Sequence, residues 1–127
     1  MTRRTEPSSS CVLVVDDDPD IADSIGDILR SGGYRYQIVD SGAAALEVAG
    51  RCAIAIVLLD WRLPDEPAGT KLVRQLRDLC GPGVPVLVLS ADPIALAEAQ
   101  SANVTDYLPK PFEIADLLEL IDTYMRS

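Results

Sequence analysis

The chain contains no histidine at all, which removes the commonest general base and any phosphohistidine chemistry of its own. Aromatic residues make up only 5%, with one tryptophan and one phenylalanine. Cysteine is scarce and odd in number: Cys11, Cys52 and Cys80 are widely spaced with no CxxC pair. A zinc site or a disulfide framework is therefore not expected, and the three thiols read as small packing residues of a chain kept in a reducing cytoplasm. The longest apolar stretch, Ala53 to Leu59, is far too short to cross a bilayer. The opening ten residues carry two arginines but no apolar segment behind them, so they read as a flexible lead-in, not a secretory signal. Basic residues are also few, 11 against 20 acidic, for a net charge of −9. A DNA surface would repel such a domain, so direct nucleic-acid binding is not expected.

What the chain does have is 48% hydrophobic residues in 127, enough for one domain with its own core over residues 11–127. Short runs of valine, isoleucine and leucine alternate with amphipathic segments. Val12–Val15 and Ala53–Leu59 are continuous apolar runs of strand length, as expected for strands buried on both faces. Tyr34, Tyr36 and Ile38 alternate with polar residues, and Val84–Leu89 and Val104–Leu108 add two further strands. Between them, Asp18-Pro19 and Asp92-Pro93 each give a helix cap followed by proline, and Ser41 caps an alanine-rich helix. Ile21, Ile25, Ile28 and Leu29 share one helical face, as do Leu72, Val73, Leu76 and Leu79, and Ile114, Leu117, Leu118 and Ile121. Five strands alternating with helices predict an α/β, doubly wound parallel sheet covered on both faces.

In such sheets, sites gather beyond the carboxyl ends of the strands. Asp16, Asp17 and Asp18, then Asp60, Ser90 and Lys110, all fall at those ends. Two carboxylates about 5 Å apart repel by roughly 3 kcal/mol at an effective dielectric near 20, so the acids call for a hard cation such as magnesium. Asp18 is more simply a helix cap. Asp60 ends the most apolar strand and is the candidate nucleophile toward phosphorus. Ser90 could donate a hydroxyl and Lys110 a positive charge to a phosphoryl group. Lys110 lies between Pro109 and Pro111, and a cis Lys110–Pro111 bond is expected.

Four segments together resemble the response-regulator receiver domains of two-component signalling. They are Val12-Leu-Val-Val-Asp-Asp-Asp-Pro19, Ile56-Val-Leu-Leu-Asp60 with Leu63-Pro64, Val86-Leu-Val-Leu-Ser-Ala91, and Asp106-Tyr-Leu-Pro-Lys-Pro-Phe112. The resemblance implies a flavodoxin-like sheet of order 2-1-3-4-5, with Asp60 as phosphoacceptor. It implies magnesium held by Asp16, Asp17, Asp60 and the backbone carbonyl of Arg62, with Ser90 and Lys110 on the phosphoryl group. Ser90 and Tyr107 would be the switch residues. The phosphoryl group would come from a histidine kinase or a histidine phosphotransfer protein, and the output would pass to a separate effector protein. Such a domain is a signalling switch with intrinsic phosphotransfer and autodephosphorylation, not an enzyme in the usual sense.

Three departures from the family pattern stand out. The loop Asp65-Glu-Pro-Ala68 is one residue longer than usual, the interval from Ser90 to Tyr107 is a couple of residues shorter, and Asn103-Val104 replaces a common Gly-Ala. The last helix carries four acids and no base between Glu113 and Tyr124, so a monomer is expected. Arg62 and Asp92 lie two residues after Asp60 and Ser90, and as an ion pair they could form a lid over the phosphoryl site. A rival reading is a haloacid-dehalogenase-type phosphatase with Asp16 as nucleophile. A flavodoxin-like flavin binder is disfavoured by three aspartates where a phosphate would sit. A receiver-like module that is never phosphorylated is disfavoured by the complete acidic and basic set.

Overall fold

A computed structural model describes residues 10–125; of the expected ten-residue lead-in, residues 1–9 lie outside them, and the tenth, Ser10, opens the first strand. The order of elements is β1 (Ser10–Val15), α1 (Pro19–Ser31), β2 (Tyr36–Val39), α2 (Gly42–Arg51), β3 (Ala53–Asp60), α3 (Gly69–Cys80), β4 (Val86–Ser90), α4 (Pro93–Ser101), β5 (Asp106–Pro109) and α5 (Ile114–Met125). All neighbouring strands pair in parallel, in the order β2-β1-β3-β4-β5. This is the expected doubly wound sheet, and its strand order reverses between β1 and β3.

The apolar runs become central strands because both of their faces are covered. Leu13 and Val15 face a core shared with α2, α3 and α4, whereas Val12 and Val14 face a second core built with α1 and α5. The edge strand β2 is half-exposed, in keeping with its alternating sequence. Caps start the helices where the sequence places them: Asp18 accepts from the Asp20 and Ile21 amides, Ser41 from Ala44, and Asp92 from Ile94. No helix among the described residues is long and apolar enough to cross a membrane.

The differences from expectation fall at element ends. Leu79 and Ile114, expected on buried faces, are exposed; each sits in a terminal turn of its helix. The fifth strand starts at Asp106, two residues later than its apolar pattern suggested. Asn103 occupies the left-handed region at φ 60°, a conformation that asparagine tolerates better than other side chains. Its carbonyl accepts from Arg77 Nη1 at 2.8 Å, and the Thr105 hydroxyl takes the Val86 amide at 2.9 Å. The shortened interval after Ser90 leaves α4, at 9 residues, the shortest of the five helices.

Two glycines of α2 give opposite expectations. A Cβ on Gly42 would overlap the Pro67 carbonyl, so the helix start and the long β3–α3 loop touch through backbone. A Cβ on Gly50 meets open space. Gly42→Ala should destabilise the domain by about 2 kcal/mol or more through overpacking, while Gly50→Ala should stabilise it by about 0.5–1 kcal/mol. Urea unfolding midpoints of the two variants check both signs.

Candidate functional site

Rigid strand ends bring the acids together. Asp16 directly follows β1 and is only 3% exposed. Both of its oxygens are engaged: Oδ1 accepts from the Asp18 amide at 2.9 Å, and Oδ2 lies 3.3 Å from Lys110 Nζ. Asp60, the last residue of β3, is half-buried, and its Oδ1 accepts from the Arg62 amide at 3.3 Å. Asp17 is exposed beside them. One carboxylate oxygen from each of Asp16, Asp17 and Asp60 falls within a 4.8 Å cluster, and Asp18 stays outside it as a cap. Three hard oxygen donors, one of them immobilised by burial, fit magnesium, which takes a few carboxylates and completes its shell with water or phosphate oxygen.

The crowding shows in the protonation of Asp60, whose pKa is pushed up to about 7. Burial contributes most, followed by the negative charge of Asp16; a hydrogen bond with Asp17 also favours the protonated form. Lys110 and the Arg62 amide oppose the rise.

Ser90 ends β4 and is 5% exposed. Its Oγ accepts from the Asp92 amide at 3.1 Å, which leaves its own proton to donate. The Lys110 amide donates to the Ser90 carbonyl at 2.9 Å, so the residue after β5 is held against the end of β4. The Lys110–Pro111 bond is cis. Arg62 donates through Nε and Nη2 to Asp92 Oδ2 at 3.2 and 3.0 Å, forming the ion pair at the rim of the site. Tyr107 stands apart on β5, exposed, with its hydroxyl accepting from Gln100 Nε2 at 3.1 Å.

Two residues of this neighbourhood were not anticipated. Trp61, next to Asp60, is 4% exposed, and its Nε1 donates to Glu98 Oε1 at 3.1 Å; the same oxygen lies 3.7 Å from Arg62 Nη2. The position of the single tryptophan beside the candidate nucleophile was a usable signal. Glu98 offered none, since its contact spans 37 residues.

Because the folded state raises the Asp60 pKa above its unfolded value near 3.8, the unfolded chain releases this proton first as pH rises. With a chelator present, stability should therefore fall between about pH 4 and 7 and level off above. Allowing for solvent screening of a half-exposed group, the loss should be about 1–2 kcal/mol. Asp60→Asn should remove that slope, so that above pH 7 the variant melts higher than the parent chain. Melting temperatures across this pH range in chelator are the check.

The chain spans between about a quarter and about half the length of the curated relatives it matches. It is 37% identical over 112 residues to the response regulator protein FleR of Pseudomonas aeruginosa, covering 87% of this chain and 23% of that protein. It is 36% identical over 117 residues to the response regulator MprA of Mycobacterium leprae, covering 91% of this chain and 50% of the relative. Among solved structures, the receiver domain of a Pseudomonas aeruginosa sensor histidine kinase, described with a magnesium ion coordinated in its active-site cleft, matches with a TM-score of 0.84 at 32% identity. That match covers 94% of this chain and 98% of the other. The chemotaxis protein CheY4 of Vibrio cholerae matches with a TM-score of 0.81 at 25% identity, covering 91% and 98%. The family model for the response regulator receiver domain matches residues 12–122, so by sequence and by fold this chain belongs to the receiver domains of two-component response regulators.

Proposed function

We propose that Asp60 is the phosphoacceptor of this chain and that it takes its phosphoryl group from the phosphohistidine of a partner histidine kinase or histidine phosphotransfer protein. The observation that carries this reading is the difference between two neighbouring carboxylates. Asp16 is buried with its oxygens held by an amide and by Lys110, whereas Asp60 is half-buried and meets one backbone donor and the exposed Asp17, so Asp60 is the more accessible to attack. That contrast also weighs against a phosphatase using Asp16 as nucleophile.

In the proposed transfer, an Asp60 oxygen bonds to phosphorus while the phosphorus–nitrogen bond to the donor imidazole breaks, leaving its electron pair on the nitrogen. Asp16, Asp17, Asp60 and the carbonyl of Arg62 are the proposed magnesium ligands. Bound there, magnesium would neutralise charge on the transferring group. Lys110, already anchored to Asp16, places a cation at the same edge of the sheet, and the Ser90 proton is available to a phosphoryl oxygen. Because the Ser90 hydroxyl also holds the Asp92 amide, its movement would be felt at the start of α4, and through α4 and β5 at Tyr107. Arg62 and Asp92 would restrict water's access to the acyl phosphate. The output then passes to a downstream effector, with the domain acting as a cytoplasmic monomer whose charged residues between Glu113 and Tyr124 are all acidic.

Beryllium fluoride with magnesium, a stand-in for the phosphoryl group, should shift the amide resonances around Asp60, Ser90 and Tyr107. No shift at those positions would sink the receiver mechanism for this chain. Arg62→Ala should shorten the lifetime of the acyl phosphate about two- to fivefold, the range of an exposed ion pair; an unchanged dephosphorylation rate would remove the lid from the account.

A further inference from the structure

Helix α4 is attached to the domain unlike the others. Its fully buried residues are Ala95 and Ala99, which offer little apolar area; Leu96 packs on the core only partly buried, and Ile94 stays 65% exposed. Polar ties take up the difference. Gln100 reaches the Tyr107 hydroxyl, Glu98 Oε1 accepts from the buried Trp61 indole at 3.1 Å, and Arg62 Nη2 lies 3.7 Å from that oxygen and 3.0 Å from Asp92 Oδ2. The two residues that follow Asp60 thus grip α4 at its cap and again near its far end.

Arg62 is shared between two carboxylates on α4 and rooted by its amide at Asp60 Oδ1. A phosphoryl group on Asp60 adds about −1.5 to −2 charges and three strong acceptors, two residues along the chain from Arg62, whose amide already donates to Asp60 Oδ1. Bidentate guanidinium–phosphate contacts are among the strongest available, whereas the Arg62–Glu98 contact is exposed and longer than a hydrogen bond. The competition therefore favours the phosphoryl group.

Resting on Asp60 as phosphoacceptor, we infer that Glu98 is a positioning residue. With Trp61, Arg62 and Asp92 it forms a latch that holds α4 to the β3–α3 loop, and the latch opens when Arg62, still paired with Asp92, leaves Glu98 for the phosphoryl group. Trp61 is the fixed half of the latch, because its indole is part of the core beneath α3 and α4. Glu98 is the half that sets how readily Arg62 leaves. The latch carries the state of Asp60 to α4 by a route separate from Ser90 and Tyr107.

The full chain is titrated with beryllium fluoride at saturating magnesium, following Trp61 emission, the chain's single tryptophan signal, and amide exchange in α4. In the parent chain, saturation should shift the emission and speed α4 exchange several-fold. Glu98→Gln keeps an acceptor for the indole but removes the charge that retains Arg62. It should lower the beryllium fluoride midpoint about two- to fivefold at low salt, with the gap closing at high salt. Its α4 amides should exchange faster before any analogue is added. Glu98→Asp, which keeps the charge, should return the midpoint toward the parent value, and Glu98→Gln should add nothing in an Arg62→Ala background. A Glu98→Gln midpoint and α4 exchange equal to the parent's would overturn the latch. So would a parent chain whose Asp60 amide shifts while Trp61 and α4 stay unchanged, and in that case the phosphoacceptor reading stands. If the Asp60 amide itself does not respond, both readings fall.

Discussion

Mutual repulsion among Asp16, Asp17 and Asp60 is the constraint around which this domain is arranged. Carboxylates whose oxygens fall within 4.8 Å of one another would separate if they stood on flexible chain. Here two of them are fixed by central strands with covered faces, and Lys110 offsets part of the charge from 3.3 Å away. Burial first, and then the Asp16 charge that remains, push the Asp60 pKa up to about 7. A site of this kind accepts a divalent cation because cation binding relieves repulsion that the fold has already enforced.

The apolar character of β1, β3 and β4 is therefore part of the chemistry. Leu13, Leu58, Leu59, Leu87 and Leu89 are all at most 1% exposed, which leaves the strand ends little freedom to relax away from one another. The residues after the strands join the site to the helices. Asp18 and Asp92 cap helices, the Asp92 amide holds Ser90, and Arg62 joins the end of β3 to the cap of α4. Helix α4 is the shortest of the five and fully buries only Ala95 and Ala99, with Leu96 partly buried beside them.

Much of this was legible in the amino-acid sequence, for physical reasons. Uninterrupted valine and leucine runs admit few structures other than buried parallel strands, so the polar residue ending each run had to fall at one edge of the sheet. Asp-Pro pairs marked the starts of α1 and α4 because the cap and the missing proline amide serve the same helix end. Among contacts between distant side chains, the Arg62–Asp92 pair was legible from their places just after two strand ends, but others were not. Lys110 meets Asp16 across 94 residues, and Glu98 meets Trp61 across 37, with nothing local to announce either pairing. Periodicity also failed at Leu79 and Ile114, in the terminal turns of their helices.

The central claim is that Asp60, not the better-buried Asp16, carries the chemistry. Its most direct test is to phosphorylate the chain with a small acyl-phosphate donor and magnesium, trap the product by borohydride reduction, and map the modified residue by mass spectrometry. The account predicts conversion of Asp60 to the reduced product, homoserine, and of no other aspartate. Modification of Asp16 or Asp17 in place of Asp60, or no acyl phosphate at all, would contradict it.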